Sequence, residues 1–75
     1  MDMNNIGLQI RTLRKTRNLY QNTLAEMVGV SRGHINAIEH GRYTPNLTTA
    51  IKIADALGIT LDELAGRTNN ERDTF

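Results

Sequence analysis

The sequence predicts an all-α fold of five short helices without a sheet. Three observations carry this. Apolar residues recur three and four positions apart in successive runs. Each run is bounded by residues that start or stop helices, among them Ser31, Asn46, Gly29, Gly41 and Gly58. No stretch alternates apolar and polar residues over the length of a strand.

The first helix is expected from about Asn5 to Arg17, where Ile6, Ile10 and Leu13 form one apolar stripe. Asn18 ends it, because asparagine tolerates the left-handed conformation of helix ends. The second runs from about Gln21 to Val28, with Leu24, Ala25 and Val28 inward and Gly29 as the stop. The third follows Ser31, a good N-cap, and reaches about His40, with Ile35 and Ile38 inward and Gly41 as the stop. Pro45 forces a turn. Asn46 caps a fourth helix over Leu47 to Leu57, whose expected buried face is Leu47, Ala50, Ile53, Ala54 and Leu57. Gly58 ends it. Thr60 with Glu63 three residues later reads as a capping box for a short fifth helix, which Gly66 closes. One domain is therefore expected over residues 1–66. Residues 67–75 are polar apart from Phe75 and are expected to fray.

Composition narrows the function classes. A chain of 75 residues, 39% of them hydrophobic, allows one domain and leaves little room for a deep enzyme pocket. Cysteine is absent, so neither disulfides nor thiolate metal sites are available. No apolar run approaches the ~18 residues needed to cross a bilayer. No basic stretch followed by an apolar one marks a secretory leader. The expectation is a soluble, cytoplasmic domain.

The formal net charge is +1, but its distribution is uneven. Residues 1–43 hold six basic side chains against three acidic ones, and residues 44–75 hold three against five. A basic front and an acidic back suit a protein that lays one side on a polyanion.

The chemistry-bearing stretch is Gln21 to Glu39. Two short helices are joined there by Gly29-Val30-Ser31. So brief a link makes the helices cross steeply, which is helix-turn-helix geometry. Ala25 is small enough for close approach, Gly29 supplies the left-handed turn, and Val30 fills the space beneath it. With Ile35 and Ile38 as anchors, Arg32, Gly33, Asn36 and Ala37 fall on the outer face.

These residues resemble the Xre-type helix-turn-helix family, which includes phage Cro and repressor amino-terminal domains. The matching pieces are IGLQIRTLR at 6–14, LYQNTLAEMVGVSRGHINAIEHG at 19–41 and PNLTTAIKIADALGITLDEL at 45–64. The resemblance implies a compact five-helix, lambda-repressor-like domain that binds double-stranded DNA, usually as a homodimer, and regulates transcription. It places Arg32, Gly33, Asn36 and Ala37 at base-facing positions of a helix lying in the major groove. Arg32 would pair with guanine, Asn36 with adenine, and the Ala37 methyl would meet a thymine methyl. Gln21, Ser31, His40, Arg42 and Tyr43 would lie along phosphates. Arg14 and Glu39 match the family's buried ion pair. Two departures stand out: Tyr20 where a capping Ser or Asn is usual, and Asn22 with Thr23 where acidic residues are common. A dimer is expected through the region from Ile59 to Leu64, with Ile59, Leu61 and Leu64 as its apolar residues.

Other readings are weaker. His34 and His40 are six residues apart, off the spacing for a shared metal on a helix, so no metal and no cofactor are expected. Asp62 and Glu63 are adjacent, point apart and suit the first turn of a helix. Ser31 has no triad partner. The leading expectation is a small DNA-binding repressor that is not an enzyme. Its variants are an antitoxin or a restriction-modification controller with an added protein partner. The contrasting class is a protein-interaction module that does not touch DNA.

Overall fold

A computed structural model describes residues 5–65. The expected stop at Gly66 and the tail 67–75 lie outside them. Five helices follow in order: α1 (Asn5–Thr16), α2 (Gln21–Val28), α3 (Arg32–Glu39), α4 (Leu47–Leu57) and α5 (Leu61–Leu64). No strand occurs among the described residues.

Local chemistry sets each boundary. Asn18 takes φ 57°, the left-handed turn that separates α1 from α2. Gly29 and Gly58 close α2 and α4 at φ 85° and 72°, a conformation glycine adopts without steric cost. Ser31 Oγ accepts the His34 N–H at 3.1 Å, and Asn46 Oδ1 accepts the Thr49 N–H at 2.8 Å. Thr60 and Glu63 form a reciprocal capping box. Tyr20, by contrast, offers α2 no side-chain cap. Its β-region backbone leads directly into a helix whose first N–H groups have no side-chain acceptor.

The core draws on every helix. Ile10, Leu24, Ile35, Ile38, Ile53 and Leu64 are fully buried, and Ala25, Val28, Ala50, Ala54 and Leu57 complete the cluster. α1 and the C-terminal end of α3 meet closely at Gly7. A Cβ there would press into the Ile38 carbonyl oxygen and lie 3.0 Å from that of Glu39. Glycine thus lets α1 lie backbone-to-backbone on the end of α3.

Two expectations fail. Leu47 is 65% exposed rather than part of the α4 core face. At about 100° per residue it lies only some 20° from the buried Ala54, but as the first residue of α4 it stands a turn before Ala50, where the covered part of the helix begins. Leu64 was expected at a subunit interface, but it is fully buried within this chain. The short α5 folds back over α4 and spends that side chain on the core.

Candidate nucleic-acid interface

The helix pair α2–α3 is built so that one side of α3 is fixed and the other is open. Ile35, Ile38 and Glu39 are buried. At about 100° per residue, Gly33 and Ala37 point opposite those anchors, with Asn36 on one flank and His34 on the other. Arg32 and Gly33 are exposed, while Asn36 and Ala37 are half-buried. All four stand at or beside the outer side of one two-turn helix. The reach is uneven: the centre of that side carries no side chain longer than a methyl group.

A buried ionic network clamps α3 from behind. Arg14 Nε donates to Glu39 Oε2 at 2.7 Å and its Nη2 to Oε1 at 3.1 Å. Arg14 Nη1 also donates to the Leu19 carbonyl at 2.7 Å, tying in the turn before α2. The two side chains are 9% and 1% exposed. Burial this deep needs full hydrogen bonding of both charges, and no buried side-chain polar atom among the described residues lacks a partner.

Gln21 extends the network outward. Its Nε2 donates to Glu39 Oε1 at 3.0 Å, and its Oε1 accepts from Arg32 Nη1 at 3.4 Å. The acceptor-only carboxylate forces the amide nitrogen inward and the amide oxygen outward. A relay therefore runs from Arg14 on α1, through Glu39 on α3 and Gln21 on α2, to the exposed Arg32. The phosphate expected at Gln21 concerns the free N–H groups that open α2; the half-buried side chain is a separate matter and commits its amide group to the protein on both sides.

The segment after α3 holds the remaining residues. His40 is the C-cap, and its Nδ1 lies 2.9 Å from the Asn36 carbonyl oxygen. That oxygen can only accept, so Nδ1 carries the hydrogen and Nε2 is a donor only in the doubly protonated ring. Arg42 is exposed and its N–H bonds to the Ala37 carbonyl at 2.9 Å. Tyr43 packs on His34 with ring centroids 4.6 Å apart. Exposed Arg32 and Arg42 give this side positive charge, while Glu39, the acidic residue of α3, is already neutralised by Arg14.

Three features escaped the sequence. Gln21 on α2 bonds to Arg32 and Glu39 on α3, eleven and eighteen residues along the chain. The His34–Tyr43 contact crosses a loop and has no periodic signal. Arg17 donates from Nε to the Leu57 carbonyl at 2.6 Å and caps the end of α4, a partner 40 residues away that no local pattern announces. Gly7 did carry a signal: a glycine inside a helical run costs stability and so points to a tight approach.

A helix whose basic, small-residue side faces outward, packed on a partner helix through a three-residue turn, is the architecture of a DNA-binding regulator domain. Comparison with known proteins agrees. The helix-turn-helix family model HTH_3 matches residues 10–64, and this chain belongs to that family, the Xre type of transcriptional regulators. It is 41% identical over 61 residues to the immunity repressor protein of Bacillus phage phi105, covering 81% of this chain and 42% of that protein. It is 55% identical over 49 residues to an HTH-type transcriptional regulator of Methanothermobacter thermautotrophicus, covering 65% and 71%. Among solved structures, the restriction-modification controller protein C.AhdI from Aeromonas hydrophila superposes with a TM-score of 0.80 at 35% identity, covering 84% of this chain and 96% of that one. The chain thus spans less than half of the phage repressor it matches. No described helix is long and apolar enough to cross a membrane.

Proposed function

We propose that this chain is a sequence-specific double-stranded-DNA-binding repressor that inserts α3 into the major groove and acts by occupying an operator. The groove is about 12 Å wide, enough for one helix. Arg32, Gly33, Asn36 and Ala37 meet base edges. Ser31, His40, Arg42 and Tyr43 follow phosphates, joined by the uncapped N–H groups at Gln21, where the helix dipole favours an anion. The observation that carries the reading is the division of α3: buried Ile35, Ile38 and Glu39 inside, open Arg32 and Gly33 outside. Its mechanism is binding without turnover.

One such unit covers about half a site, so a second copy one helical turn away, ~34 Å, completes a palindrome. Ile59 and Leu61 are half-buried and keep surface for that contact at the α4–α5 end. The basic outer side of α3 favours a polyanion over a protein partner. A restriction-modification controller is the second reading, favoured by the likeness to C.AhdI over nearly that chain's full length; it uses the same DNA contacts.

Selection from random duplexes with purified protein tests this. A symmetric enriched motif is expected. Arg32→Ala then costs about 1–3 kcal/mol on the selected duplex and relaxes preference at one base pair of each half-site. Equal losses on selected and random DNA would refute the base-reading role.

A further inference from the structure

We propose that His34 is a positioning residue that holds Tyr43 where its hydroxyl meets a DNA phosphate. This rests on the reading of Tyr43 as a phosphate contact given above. His34 stands on the first turn of α3, where the Ser31 hydroxyl accepts its backbone N–H and fixes the base of the side chain. Its ring meets the Tyr43 ring at 4.6 Å with a tilt of 60°, within the range where aromatic pairs attract beyond simple area burial.

The contact matters because of what else restrains this loop. Gly41 N–H bonds to the Ile38 carbonyl and Arg42 N–H to the Ala37 carbonyl. Past Arg42, no backbone hydrogen bond ties residues 43 or 44 to α3 among the described residues. Pro45 is buried and Asn46 caps α4, so the loop is fixed at both ends with Tyr43 between them. Tyr43 itself is 45% exposed. The imidazole ring is therefore the described side chain that joins the flank of α3 to this tyrosine. The role needs a flat ring, not a proton or a charge. His34 acts through Tyr43 and contributes no base contact of its own.

The test measures affinity for the selected duplex by fluorescence anisotropy, with the full chain and its His34→Ala, His34→Gln, His34→Phe and Tyr43→Phe variants. Losing a hydrogen bond to a charged phosphate weakens binding by about tenfold or more. Tyr43→Phe and His34→Ala are each expected to lose about tenfold, with base preference unchanged. The double variant is no weaker than either single one, and His34→Phe binds within about twofold of the parent. His34→Gln repeats the loss with a side chain that keeps the helix covered, should alanine unfold the domain. A duplex carrying one neutral methylphosphonate at the contacted position weakens the parent protein but not Tyr43→Phe or His34→Ala. If Tyr43→Phe binds like the parent, the phosphate reading of Tyr43 fails and takes this inference with it. If Tyr43→Phe weakens binding but the two losses add, or His34→Ala and His34→Gln bind normally, the His34 role alone is overturned. If His34→Phe is as weak as His34→Ala, the imidazole touches DNA directly, and the positioning role is again overturned.

Discussion

Gly33 separates what the fold needs from what the proposed DNA contact needs. It sits on the outer side of α3, and an added Cβ would meet only Ser31 Oγ, at 3.9 Å, an ordinary contact. Its φ is not in the left-handed region, unlike that of Gly29, Gly41 and Gly58. Gly33→Ala should therefore stabilise the free protein by about 0.5–1 kcal/mol through helix propensity. For a domain this small, that raises the melting midpoint by about 2–8 °C. Gly7→Ala is the built-in contrast: the same methyl would press into the Ile38 carbonyl and must lower the midpoint. On DNA the sign reverses. If α3 lies against base edges, the Gly33→Ala methyl enters a packed interface and costs about 1–3 kcal/mol, by analogy with overpacked cores. That is a loss of about 5- to 150-fold on the selected duplex, with little change on random DNA, where phosphates dominate. Circular dichroism melts and anisotropy titrations read both effects. A variant both more stable and equally tight would refute the claim that this side of α3 approaches the groove floor.

Three further outcomes are expected. Glu39→Ala strands the buried Arg14 guanidinium and should cost on the order of 3–5 kcal/mol in chemical denaturation, whereas replacing both partners by apolar residues recovers most of it. Arg42→Ala should weaken binding to all duplexes alike and reduce the slope of log affinity against log salt by about one. Arg17→Ala removes the cap on the Leu57 carbonyl and should cost about 1 kcal/mol of stability while leaving DNA affinity unchanged.

The helices were legible because their signals are local. Ser31, Asn46 and Thr60 act within three residues of themselves, and Gly29 and Gly58 within one, so each cap could be read without knowing the fold. The register of α3 was legible too, since Ile35 and Ile38 leave few choices for what faces outward. Leu47 and Leu64 were misread for one reason. Hydrophobicity says that a side chain prefers cover, but which helix provides it depends on how α4 and α5 cross. Gln21 and His34 were incompletely read because their partners, Glu39 and Tyr43, are reached only after the chain turns. Polar side chains carry no period that announces such meetings.

The outward amide oxygen of Gln21 restricts what can be written at position 32. A donor such as Arg or Gln is welcomed there, because the oxygen is turned toward it by the Glu39 carboxylate. An acidic residue, the natural choice for recognising cytosine, has no hydrogen to donate to that oxygen. If Arg32 reads a base as proposed, swapping it for a carboxylate gives up this support from Gln21, and single-step variants that keep it lean toward guanine and adenine.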